Sequence, residues 1–128
     1  MAYVIDRKSL PMLQLRYVGD SSDAELTEFL SGLDELLKLP GRKVCVFDLT
    51  RATTGTPRQR QLQGAWIAKN EAALARSFAA AAIVTESAII RGAVTAIFWI
   101  RPLPFPTRVV ATLEAAETWL APYRAALQ

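Results

Sequence analysis

Two stretches of strand length, KVCVFDL at 43–49 and FAAAAIVT at 78–85, are apolar at nearly every position. A strand open to water on one face alternates apolar with polar residues. An unbroken apolar run therefore points to a strand covered on both faces, as in the middle of a parallel sheet. Between the two runs, Thr56-Pro57-x-Gln59 combines a capping box with proline at the first helical position, which predicts a helix from there to about Arg76. The alanines of 78–85 would by propensity suit a helix equally well. Short length and a place between capped helices select the strand.

The flanking segments extend this pattern. Residues 3–5 and 12–18 read as strands, the second alternating Met12, Gln14, Arg16 against Leu13, Leu15, Tyr17; the turn residues between them predict an antiparallel pair. Ser22 and Glu25 have capping-box spacing. The helix they open lines up Leu26, Phe29, Leu30, Leu33, Leu36 and Leu37 before Pro40-Gly41 stops it. A third helix starts at Ser87 and ends before Pro102. TRVVAT at 107–112 is a last strand, and the closing helix should bury Leu113, Ala116, Trp119, Leu120 and Tyr123, with Pro122 interrupting its last turns. The expected fold is one α/β domain over 1–128: a five-stranded, mostly parallel sheet with an antiparallel N-terminal strand pair and four helices, in the order ββαβαβαβα.

Composition narrows the chemistry. The chain of 128 residues has no histidine and one cysteine, which excludes a His/Cys zinc site, a Ser-His or Cys-His nucleophile pair and an intrachain disulfide. Its start has no apolar signal region. Its longest apolar run, 93–100, falls well short of the roughly 20 residues that span a bilayer. A cytoplasmic protein without a transmembrane segment is expected. Residues 1–39 carry four Lys/Arg and seven Asp/Glu, the remainder eleven and five. The basic residues are dispersed with few aromatics among them, so nucleic acid is not an expected partner. Cys45, between two valines of a central strand, reads as an inert packing residue. No carboxylate pair has an arrangement suited to acid–base work, so no catalytic residue, metal or cofactor is assigned, and the chain is read as a non-enzyme.

The segment VFDLTRATTGTPRQ, 46–59, ends the third strand and opens the second helix. Asp48-Leu49-Thr50 followed by Ala52-Thr53-Thr54-Gly55, together with the element order, resembles the STAS domain, the fold of bacterial anti-sigma-factor antagonists. The closing RVVATLEAAETWL is similar to a divergent STAS-like branch with kinship to CRAL-TRIO lipid-binding folds. The STAS resemblance places Thr53 or Thr54 where that family carries its phosphorylated serine. Here Ala52 stands in place of the family's acidic residue, and the loop is shorter. On the residues alone, the same loop is first a turn between strand and helix. It is second an anion-binding or regulatory site, with Asp48, Thr50, Arg51, Gly55, Thr56 and Arg58 as its members.

The third helix carries more apolar surface than one sheet face can hide. Ile90, Val94 and Ile97 form one row, Ile89, Ala93, Ala96 and Ile100 a second, with Phe98 and Trp99 widening the arc and Leu103 and Phe105 just beyond. Either neighbouring elements bury the surplus, or it forms an interface of Ile89, Arg91, Phe98, Trp99, Arg101, Leu103 and Phe105. Two functions are open on this basis. The first is a regulatory protein–protein interaction domain, docking to a partner or to a second copy and switched by phosphorylation at the 50–56 loop. The second is a carrier that holds a small apolar or lipid-like ligand between the third helix and the sheet.

Overall fold

A computed structural model describes residues 3–53 and 55–127, Ile100 by its backbone alone. The described residues form β1 (Tyr3–Asp6), β2 (Met12–Gly19), α1 (Asp23–Leu37), β3 (Lys43–Ala52), α2 (Pro57–Lys69), α3 (Glu71–Ser77), β4 (Phe78–Val84), α4 (Ala88–Ile100), β5 (Thr107–Val110) and α5 (Leu113–Ala125). The strands lie in the order β1-β2-β3-β4-β5, with β1 and β2 antiparallel and the remaining pairs parallel. This is the expected α/β sheet.

That order dictates the layers. Each parallel connection steps to the adjacent strand in the same direction, and right-handed crossovers of that kind all fall on one face of the sheet. Side chains of α1, α2 and α3 (Phe29, Ile67 and Leu74) accordingly pack with Leu13, Leu15, Cys45 and Ala81, and Ile97 of α4 joins them. The alternate strand positions Met12, Val44, Val46, Ala80 and Ala82 point the other way and pack with Ala116, Leu120 and their helical neighbours on α5. Val44, Val46, Ala80 and Ala82 are fully buried, as their apolar runs require.

Two helices differ from expectation. The segment expected as one helix to Arg76 is two, because Asn70 leaves the helical region at φ −107°, ψ 16°. Its side-chain amide donates to the Trp66 carbonyl at 2.9 Å. Asn competes in this way with the helix's own hydrogen bonds. The helix count is therefore five and the order ββαβααβαβα. In α5 the helix runs through Pro122 to Ala125, and Leu113, expected inside, is 38% exposed at its first turn.

Cut short at Asn70, α2 packs against α1, α3 and α4 and lies over the sheet as a roof. Polar bonds fasten it to α1: Trp66 Nε1 donates to Asp34 Oδ1 at 2.8 Å, and Arg58 Nε to Asp23 Oδ2 at 2.9 Å. The acidic side of α1 thus contributes two of its carboxylates to holding the roof.

Candidate functional site

The 46–59 segment is stitched to itself and to its neighbours. Opposite Tyr17 the pairing of β2 with β3 slips, so that Arg16 faces Asp48 but Val18 faces Arg51. Asp48 holds this bulge: one carboxylate oxygen accepts from the Thr50 backbone N–H at 3.0 Å and from Thr50 Oγ1 at 2.6 Å, and the other lies 3.4 Å from Arg16 Nε. Asp48 shares a sheet face with Val44 and Val46, away from α2. Thr53 Oγ1 donates to Asp20 Oδ1 at 2.7 Å, while Thr54 lies outside the described residues. Arg51 is exposed. Gly55 sits at φ +68°, and a side chain there would come within 2.8 Å of Gln59 Oε1.

The α2 N-terminus is closed by its own sequence. Thr56 Oγ1 accepts from Gln59 N–H, and Gln59 Oε1 accepts in turn from Thr56 N–H, each at 3.1 Å. Pro57 has no N–H, so of the first three helical donors only that of Arg58 is left for an anion. The Arg58 side chain is already paired with Asp23. Asp48 and Thr50 thus stand apart from the helix start that Thr56 and Arg58 define.

Burial pushes the Asp48 carboxyl up, but the two Thr50 hydrogen bonds and the Arg16 guanidinium outweigh it and hold it below its ordinary value. A carboxyl with a lower pKa in the folded chain adds stability that is present above its unfolded value, about 3.9, and is lost as pH falls through the folded value. Asp48→Asn is therefore expected to cost about 1 kcal/mol at pH 7, discounted for the exposure of Arg16. The gap from the parent should narrow as pH falls below the unfolded carboxyl's value of about 3.9. Urea denaturation of both proteins at pH 7 and pH 3 checks this; a gap that stays constant would place the effect in packing.

Beneath α2 lies a half-open apolar cavity of about 110 Å³. Its floor is the helix-facing side of β2, β3 and β4 (Leu15, Cys45, Phe47 and Ile83). Its walls come from α1, α4 and the segment after α4, and Trp66 and Ile67 of α2 close it above. The space follows from the roof's composition. α2 reads PRQRQLQGAWIAK and turns few bulky apolar side chains inward, so the gap between roof and sheet is not filled. Cys45 lies in this layer, buried, with its thiol pushed far up by desolvation and so unreactive. A second cavity of about 70 Å³ adjoins the first at the 53–59 loop, and Tyr17, Leu49, Gln63, Val94 and Ile97 line both.

The seven residues expected at an interface divide. Phe98, Leu103 and Phe105 turn inward, partly buried, and line the larger cavity. Ile89 and Trp99 turn out, 73% and 85% exposed, and Arg91 and Arg101 are exposed with them. Sequence reading missed Tyr17, Gln63 and Trp66 as site residues. Gln63 carried a legible signal, since it stands one turn from both Gln59 and Ile67 on the inward row of α2.

A five-stranded mixed sheet with three crossovers on one face and a C-terminal helix on the other defines an α/β domain of the SpoIIAA-like, or STAS, fold. Among solved structures, the chain is similar to an uncharacterized protein from the DUF3478 family with a SpoIIAA-like fold from Shewanella loihica PV-4. The match has a TM-score of 0.68 at 17% identity over 93% of this chain and 92% of that one. No family model matches the sequence, and no curated protein matches it. The expected STAS resemblance is thus shown as a likeness of fold. No helix among the described residues is long and apolar enough to cross a membrane.

Proposed function

We propose that this domain is a non-catalytic, cytoplasmic binding protein that carries a small apolar ligand in the cavity beneath α2. One observation carries the reading: a cavity of about 110 Å³ whose lining is apolar except at Tyr17 and Gln63, the Trp66 nitrogen being bonded to Asp34. An apolar void of about 150 Å³ stays dry and takes up a benzene-sized guest. The lining atoms of a void lack dispersion partners on one side, and a hydrocarbon supplies them. Each methylene moved from water into such a site contributes about 0.8 kcal/mol. Titration with p-xylene tests the reading. Saturable shifts of the Val94 and Ile97 methyl resonances and a higher melting temperature are expected; unchanged spectra up to the solubility limit of p-xylene would overturn it.

A second reading, docking to a partner protein or to a second copy, is favoured by Trp99 and Ile89, which α4 leaves exposed. Trp at such a position is a common interface anchor. Sedimentation of the parent and of Trp99→Ala would separate the two readings: a parent dimer lost in the variant supports docking, and a monomer in both removes self-association. A phosphate on Thr53 as the switch of that reading would displace its bond to Asp20 and set a dianion against that carboxylate.

A further inference from the structure

The polar lining of the two adjoining cavities leaves two groups unaccounted for. Tyr3 and Ser21 hydroxyls bond each other at 2.6 Å. Thr53 is held by Asp20. Gln59 spends its amide on the capping box, the Ser21 carbonyl and Asp23. Arg60 reaches the Gly55 carbonyl at 3.4 Å, and Trp66 donates to Asp34. The Tyr17 hydroxyl and the Gln63 amide have no hydrogen-bond partner among the described residues, and both residues line both cavities. No buried side-chain nitrogen or oxygen among the described residues lacks a partner, so both groups are open to water or to a ligand's oxygen.

We propose that Tyr17 and Gln63 form the polar end of the binding site. The ligand class is then a small neutral amphiphile: an apolar ring or short chain under α2, with one hydroxyl or carbonyl turned toward the 53–59 loop. The inference rests on the carrier reading and adds an orientation and a head-group chemistry to it. A phenol and a carboxamide between them offer donors and acceptors to an uncharged oxygen. Burial keeps the Tyr17 phenol protonated across the physiological range, so it remains a donor. An anionic head fits less well, because the Asp20 and Asp23 carboxylates are hydrogen-bonded to Thr53 and Gln59 at the rim of the outer cavity. Arg60 also lines the outer cavity, with its guanidinium on the Gly55 carbonyl, and octanoate therefore enters the test as the charged alternative.

The test compares p-xylene, 1-octanol and octanoate at pH 7 on the parent and on the double variant Tyr17→Phe, Gln63→Leu, by calorimetry. The parent is expected to bind 1-octanol at least about tenfold more tightly than octanoate, and the double variant to lose about tenfold for 1-octanol. The loss for p-xylene should be smaller than that for 1-octanol, because p-xylene has no oxygen for Tyr17 and Gln63 to meet, and the variant's urea midpoint shows separately that it is folded. Unaltered 1-octanol affinity in a variant that still binds p-xylene would overturn the polar end alone. Octanoate binding as tightly as 1-octanol would overturn the neutral class. A parent that binds no p-xylene would remove the carrier reading and this inference with it.

Discussion

Replacing Val94 with phenylalanine is expected to abolish p-xylene binding and to raise the melting temperature. Val94 is 9% exposed on the inward row of α4 and lines both cavities where they adjoin. A ring at this position enters the space that a guest would occupy. Competition with a covalently attached side chain should weaken binding roughly a hundredfold, about 2.7 kcal/mol. Larger side chains in a packed core normally cost stability through strain, but here the added atoms meet unfilled volume. Cavity filling of this kind commonly adds about 0.5–2 kcal/mol, or a few degrees in a domain of this size. Undiminished p-xylene affinity would mean that the guest sits elsewhere. A variant destabilised by more than about 2 kcal/mol would mean that the cavity has no room for the ring.

How far the sequence reveals this arrangement depends on the physics of each feature. Central strands and helix starts are local and therefore legible. Near-continuous apolarity at 43–49 and 78–85 suits strands buried on both faces, and at 78–85 short length and a place between capped helices select strand over helix. The spacings of Ser22 with Glu25 and Thr56 with Gln59 produce the two reciprocal caps. The helix break at Asn70 depends on a side chain's choice between two backbone partners, which periodicity does not encode. On α4 the apolar residues run almost all round, so pattern alone could not tell which rows face in. The sheet and the roof decide that, drawing Phe98 inward and leaving its neighbour Trp99 outside.

The cavity is less legible still. A void is a property of distance between elements, here how far α2 stands from the sheet, and no single residue type announces it. Gln63 on an otherwise inward row was the trace available. The 46–59 segment shows the converse case. Its residues are conspicuous in the sequence, yet its Asp and Thr side chains that the structure describes are engaged by neighbours in space: Asp48 by Thr50 and Arg16, Thr53 by Asp20, Thr56 by Gln59. Short-range hydrogen bonds of this kind are what Asp and Thr commonly supply in turns, bulges and caps.

The two faces of the sheet also carry unequal risk, and Leu120→Ala exposes it. On the crossover face α1 to α4 share the burial, so one lost contact leaves several neighbours able to adjust. On the opposite face, among the described residues, α5 is the one helix that covers Val44, Val46, Ala80 and Ala82, and Leu120, 1% exposed, is its large buried side chain there. The alanines beneath it have no side chain to swing into a hole, and the valines are stiff at χ1. Truncation should therefore leave a cavity that does not collapse, with a loss toward the upper part of the 2–5 kcal/mol usual for a buried leucine, say about 4 kcal/mol. Against a total stability of about 5–15 kcal/mol, that approaches unfolding at 25 °C. Leu113→Ala, at the exposed start of the same helix, should cost less than about 1 kcal/mol and serves as its control. Urea denaturation measures both. The Leu120 variant molecules that remain folded should still take up p-xylene, because the guest lies across the sheet from α5. A loss below about 1 kcal/mol would mean that α5 is not what seals this face.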